Sequence, residues 1–124
     1  MVNVAVDAMG GDNAPMETVK GAVEALNGDK RVKVFLVGRE PVVREELKKY
    51  AYDQERLEVI HAEEVIETGE PPVMAIRKKK DSSIVKCMNL VKSGECDALV
   101  SAGSTGAVLV GGQVIVGRIK GVER

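Results

Sequence analysis

The stretch Val2-Asn3-Val4-Ala5-Val6-Asp7-Ala8-Met9-Gly10-Gly11-Asp12-Asn13-Ala14-Pro15 decides how this chain is read. Val2, Val4 and Val6 are the marks of a β-strand, and the strand-like run ends at Asp7. A glycine-rich turn follows. Pro15, whose fixed φ suits the first helical position, then opens a helix on which Met16, Val19, Val23 and Leu26 share one face. Strand, tight turn and helix in that order begin a βα unit. The same signature returns later: Asp97–Val100 reads as a strand and runs directly into Ser101-Ala102-Gly103-Ser104-Thr105-Gly106. Glycine lets backbone N–H groups crowd around a ligand, and a helix N-terminus adds unsatisfied donors and a partial positive charge. Two such turns at one edge of a parallel sheet would make an anion cradle.

Between the two turns the alternation continues. Asn27-Gly28 ends the first helix, and Val32–Val37 is the nearly continuous apolar run expected of a strand covered on both faces. A helix from Pro41 to about Tyr50 follows, with Glu45 and Lys49 spaced for a helical ion pair. Leu57–Ile60 is a third strand. Glu63–Pro72 is a polar connection leading into a short helix over Val73–Lys78. Ser82 or Ser83 can cap the next helix, which lines up Ile84, Cys87, Met88 and Val91 on one side and closes at Gly94. Ala98–Val100 is the fourth strand and Thr105–Ile119 an apolar helix. The fold class is therefore α/β, with a layered, mostly parallel sheet. No repeat, low-complexity tract or linker divides the chain. The last helix is apolar around nearly its whole circumference, so it needs cover on all sides. Either a partner chain supplies that cover or residues 1–124 are the N-terminal part of one larger, incomplete domain, and the second is the expectation.

Composition narrows the function. The chain has 124 residues, 30% of them charged, and a net charge of −1, which gives no overall attraction to nucleic acid or to an anionic membrane. Phe35, Tyr50 and Tyr52 are its only aromatics, too few for a base-stacking surface. Cys87 and Cys96 make no CxxC or Cys/His pattern, so no metal or thiol redox site is indicated, and two isolated cysteines fit a reducing compartment. Neither a signal peptide nor a span of about 20 apolar residues is present. The expected location is cytoplasmic.

Several residues could carry chemistry. Asp7 ends the first strand and Asp12 lies in its turn; either orients a substrate group, or Asp12 caps the helix and Asp7 braces the loop. The turn lacks the GK[ST] ending of a P-loop, and neither turn reads GxGxxG. Ser101, Ser104 and Thr105 add hydroxyls to the backbone donors of Gly103 and Gly106. Arg77-Lys78-Lys79-Lys80 is the one basic cluster; it is either a solvated face or a source of cations for the anion site. His61 is the sole histidine and reads as structural. No nucleophilic triad can be assembled, so covalent catalysis is not suggested.

Taken together, these segments resemble the phosphate acyltransferase family of bacterial phospholipid synthesis. The matching pieces are Val4–Asp12 with Pro15, Leu36-Val37-Gly38, His61-Ala62 with Glu64-Val65-Ile66, Glu70-Pro71-Pro72, Ala75–Ser83, Asp97–Gly103 and Ile115–Gly121. They span nearly the whole chain in collinear order. One departure stands out: the family's second turn reads SAGNTGA, and Ser104 stands here in place of the Asn. The resemblance implies a protein well over twice this length, with the layered α/β fold of isocitrate and isopropylmalate dehydrogenases. It implies transfer of a fatty acyl group from acyl-acyl-carrier protein to inorganic phosphate, without cofactor or metal. It also implies a homodimer in peripheral contact with the inner face of the membrane through the part beyond this chain.

On that basis Gly10, Gly11, Ser101, Gly103, Ser104, Thr105 and Gly106 are assigned to phosphate or substrate binding, with Lys79 or Lys80 as charge partner. Asp7 and Asp12 orient the reacting groups. The rivals are a phosphotransacetylase-like enzyme using acyl-coenzyme A, a dehydrogenase half-domain with a nucleotide site, and a structural or interaction piece without activity of its own.

Overall fold

Alternating valines, leucines and glycine turns produce a four-stranded sheet in the computed structural model, which describes residues 1–67, 69–103 and 106–108. The strands are β1 (Val2–Asp7), β2 (Val32–Gly38), β3 (Leu57–His61) and β4 (Ala98–Val100). All four are parallel, in the order β3-β2-β1-β4. Four helices connect them: α1 (Met16–Gly28), α2 (Glu40–Leu47), α3 (Pro72–Lys78) and α4 (Ser83–Lys92).

The period-2 geometry of β2 sorts its side chains between two layers. Val34 and Leu36 join Val19, Val23 and Leu26 of α1 and Val43 and Leu47 of α2 in one buried cluster. Phe35 and Val37 pack with Ala5 and with Cys87 of α4 in another. Helices on both faces explain why β2 carries no polar residue after Lys33. A third cluster, with Ile66, Ile76, Ile84 and Met88, ties α3 and α4 to the segment after β3.

Register then places the functional edge. Asp7 pairs with Val37, Val6 with Val100 and Gly38 with His61, so all four strands finish at one rim. The chain builds outward through β2 and β3, then crosses back to add β4 on the other side of β1. The gap between β1 and β4 is a topological switch point, where the connections leaving neighbouring strands diverge and open a crevice. Both glycine-rich turns leave from it.

Some local expectations are corrected. Pro15 precedes α1 as its N-cap rather than opening it, and Met16 is half exposed instead of sharing the face of Val19, Val23 and Leu26. Helix α2 stops at Leu47, short of Tyr50. Glu45 pairs with Lys48 and Lys49 with Glu46, because both lysines find a carboxylate three residues back. Val91 is half-buried, whereas Ile84, Cys87 and Met88 are buried as the spacing predicts. Ser82, not Ser83, caps α4, accepting from the Val85 N–H at 3.3 Å. Of the expected Thr105–Ile119 helix, residues 106–108 are helical and the others lie outside the described residues.

At the opposite rim, Arg56 holds the end of α1 to the start of β2. Its Nη1 lies 3.2, 3.1 and 2.9 Å from the carbonyls of Leu26, Asp29 and Val32. Those include a helix C-terminal carbonyl that has no partner inside the helix. Arg56→Ala should lower the unfolding free energy by about 2 kcal/mol, the scale of charge-assisted hydrogen bonds lost from a largely buried site. Arg56→Lys should recover only part of it, as read from the urea midpoint.

Candidate functional site

The site grows from the end of β1. Asp7 is buried, 1% exposed, at the point where β1 meets its turn. One carboxylate oxygen accepts the Met9 N–H at 3.1 Å and the other accepts the Ser101 hydroxyl at 2.8 Å. The Ser101 oxygen in turn accepts the Gly103 N–H at 3.1 Å. A chain of hydrogen bonds thus runs from a buried carboxylate on β1 into the turn after β4. Asp7 braces both turns at once. Ser101 commits its single proton to Asp7 and keeps only acceptor capacity for anything else.

The turns also touch through their backbones. A Cβ on Gly10 would lie 2.8 Å from the Gly103 nitrogen and 2.8 Å from an Asp7 oxygen, so only hydrogen fits there. Gly11 adopts φ +100°, a conformation that side chains resist. Met9 packs over Gly38, where an added Cβ would come within 2.9 Å of its Cγ.

Beside this junction is a cavity of about 280 Å³. Met9, Gly10, Gly11 and Asp12 line one side, Ala102 and Gly103 a second, and Val65, Ile66 and Glu67 a third. At about 30 Å³ per molecule of liquid water, it has room for a tetrahedral anion with part of a second group. Among the described residues, the N–H groups of Gly11, Asp12 and Ala102 have no hydrogen-bond partner. Open backbone amides in glycine-rich turns are the type of donor that anion-binding nests use.

The other expected site residues fall around this centre unequally. Asp12 lines the cavity and does not cap α1, which has no side-chain cap. Lys79 is half-buried and donates to the Val65 carbonyl at 2.9 Å and to Glu70 at 2.7 Å, behind the third wall. Lys80 is exposed and, like Lys79, is not among the lining residues. Gly106 sits against Pro72 of α3, where an added Cβ would meet the proline Cγ at 2.5 Å. Ser104 and Thr105 lie outside the described residues. His61 has a structural place: its Nδ1 accepts the Glu40 N–H at 3.0 Å and its Nε2 lies 3.0 Å from Glu63. It therefore caps α2, whose own N-cap, Arg39, supplies no side-chain acceptor. The third wall was missed in the sequence, where Glu63–Pro72 reads only as a polar connection.

This chain matches the family described as "Fatty acid synthesis protein" over residues 2–124. The chain belongs to that family. It is 54% identical over 123 residues to a protein of Clostridium perfringens (strain 13 / Type A) named "Putative phosphate acyltransferase", covering 99% of this chain and 36% of that relative. A "Phosphate acyltransferase" of Clostridium beijerinckii is also 54% identical over 123 residues, with 99% and 37% covered. One of Clostridium acetobutylicum is 49% identical over 121 residues, with 98% and 37% covered. The chain thus spans little more than a third of the length of these curated relatives.

In this family member two carboxylates outside the cavity lining, Glu70 and Asp81, are paired with lysines. The Lys79 ammonium beside Glu70, helped by the Glu67 N–H, holds the Glu70 carboxyl below the usual carboxylate range. Lys86 and the Glu63 N–H do the same for Asp81. Stabilisation from both pairs is present above the ordinary carboxylate pKa and lost as pH falls through the lowered values. Burial, and then the charge of Asp7, pushes the Cys87 thiol up; burial and then Glu95 push Cys96 up to about 11.

Two outcomes follow from this geometry. Gly10→Ala should cost about 1–3 kcal/mol, the usual range for forcing an extra carbon into a packed contact, read as a drop in the thermal midpoint. Neither cysteine should react with a thiol reagent at pH 8 until the chain is unfolded, because both are buried and protonated.

Proposed function

We propose that the crevice between β1 and β4 binds inorganic phosphate and that, in the whole protein, this phosphate receives a fatty acyl group from an acyl-acyl-carrier-protein thioester. The observation that carries the reading is that three lining residues, Gly11, Asp12 and Ala102, have N–H groups without a partner among the described residues, in turns held together by Asp7 and Ser101. The names of the relatives support the reaction class.

The step balances without a cofactor. One oxygen of hydrogen phosphate attacks the thioester carbonyl carbon, and the carbonyl electron pair moves onto its oxygen. Collapse of that oxyanion expels the thiolate. Phosphate loses one proton and the thiolate gains one, giving acyl phosphate and thiol. Positioning and backbone donors supply most of the acceleration. Asp12 is a carboxylate at the cavity without a hydrogen-bond or ion-pair partner among the described residues. A carboxylate is too weak a base to deprotonate free hydrogen phosphate, but the proton turns acidic as the attacking oxygen bonds to the carbonyl carbon, and a carboxylate placed there relays it at that moment. Asp12 is therefore assigned to carry that proton towards the leaving thiolate, while Gly10 and Gly103, whose N–H groups go to Asp7 and Ser101, let the two turns pack closely enough to shape the cavity.

The remaining parts of the reading rest on the resemblance. Relating the fold to isocitrate and isopropylmalate dehydrogenases is supported by the parallel sheet with helices on both faces. A homodimer, a cytoplasmic location and peripheral membrane contact through the longer relatives' additional length are part of the same proposal. Among the described residues no helix is long and apolar enough to cross a membrane.

The test is acyl-phosphate formation from orthophosphate and acyl-carrier-protein thioester, with acyl-coenzyme A as the competing donor, in a full-length curated relative and in this chain. The full-length protein should turn over and this chain alone should not. Asp12→Asn at the equivalent position should lower kcat by about 100-fold, the scale of general acid–base catalysis, and leave the KM for phosphate unchanged or lower. Full kcat in that variant would remove Asp12 from the mechanism, and a preference for acyl-coenzyme A would favour the phosphotransacetylase reading.

A further inference from the structure

The cavity's third wall belongs to no strand or helix, although Ile66 anchors it in the apolar cluster shared with α3 and α4. Val65, Ile66 and Glu67 belong to the connection after β3, whose regular pairing among the described residues is a single parallel bridge from Glu64 to Ser82. Apart from that apolar anchor, irregular backbone of this kind keeps its shape through specific hydrogen bonds. On the near side, Glu64 N–H donates to the Asp81 carbonyl and Ser83 N–H to the Glu64 carbonyl, each at 3.1 Å. On the far side, Glu67 N–H donates to a Glu70 carboxylate oxygen at 2.7 Å, and Glu70 N–H returns to the Glu67 carbonyl at 3.2 Å.

Lys79 links this wall to the rest of the molecule. Its ammonium donates to the Val65 carbonyl at 2.9 Å and to the same Glu70 oxygen at 2.7 Å, so it grips the lining strip at both ends. Its own backbone is fixed. Lys79 N–H donates to Ala75 O at the end of α3, and Lys79 O accepts from Ser82 N–H at the start of α4, at 2.8 and 3.0 Å. Both side chains are less than a third exposed, 30% for Lys79 and 28% for Glu70. Two of three ammonium protons are committed; moving the group to a ligand would break a charge-assisted bond and release the wall.

We propose that Lys79 and Glu70 form a clasp that fixes the third wall of the anion cavity, which makes Lys79 a positioning residue for the bound phosphate and not a ligand to it. The phosphate half of this statement rests on the reading of the cavity as an anion site. Glu70, a residue with no assigned role until now, becomes as necessary to the site as the lysine. The basic run Arg77–Lys80 then splits in two, with Lys79 built into the structure and Arg77, Lys78 and Lys80 exposed.

The experiment compares this chain with its Lys79→Met, Lys79→Arg, Glu70→Ala and Lys79→Met/Glu70→Ala variants by two readouts. One is amide hydrogen exchange at Glu64, Glu67 and Ser83; the other is orthophosphate affinity by titration. Lys79→Met and Glu70→Ala should each speed exchange at Glu67 by about tenfold and weaken phosphate binding by a similar factor. The double variant should be no worse than the worse single one, and Lys79→Arg, which keeps the charge and both reaches, should recover most of the affinity. Phosphate binding lost in Lys79→Met but kept or tightened in Glu70→Ala would overturn the clasp, because it would show the lysine on the anion. Unchanged exchange in both single variants would overturn it as well. A wild-type chain that shows no phosphate binding while the variants still loosen the wall would instead sink the anion-site reading and leave the clasp standing.

Discussion

A carboxylate sealed from water has to find its partners inside the protein, and Asp7 finds them in two different turns. That requirement organises the site. The end of β1 and the end of β4 are held together by the Ser101 hydroxyl, and the hydroxyl passes the constraint on to the Gly103 amide. An unpartnered buried charge would be costly, so the turns are held where they satisfy it. Gly10 and Gly103 then meet backbone to backbone, which only glycine at position 10 allows. The N–H groups of Gly11, Asp12 and Ala102, without a partner among the described residues, are the by-product of this packing, since they lie in turns whose shape is set elsewhere.

The topology places this constraint where a ligand can use it. With β1 between β2 and β4, the connections after β1 and β4 have no neighbour between them. The crevice that results is bounded by backbone on two sides and by the segment after β3 on the third. The division of labour is consistent: groups that build the crevice are buried or half-buried and hydrogen-bonded, as Asp7 and Lys79 are, and groups free for chemistry, such as Asp12, stand at its edge. The proposed transfer of an acyl group to phosphate asks for this kind of site, because the protein's part would be to hold and to stabilise.

The strands were legible because apolar runs such as Val32–Val37 have one physical use in a sheet buried on both faces. Helix α4 was legible from Ile84, Cys87 and Met88 and from the capping serine before them. Errors came at borders and surfaces. Met16 has the spacing of a core residue, yet it sits at the first turn of α1, where the helix face has not met the sheet. Glu45 and Lys49 have ion-pair spacing, but long side chains choose among several partners of nearly equal energy.

The parallel α/β class, the two glycine turns and the collinear likeness to a family all follow from local sequence, since periodicity and turn chemistry act over neighbouring residues. Which residues share the crevice was settled by folding alone. Asp7 and Ser101 lie 94 positions apart, and Lys79 reaches Val65 across 14. Nothing in the spacing of such residues records their meeting. Their partnership is set by strand order and by the need of each buried polar group for a partner, and both exist only once the chain has folded.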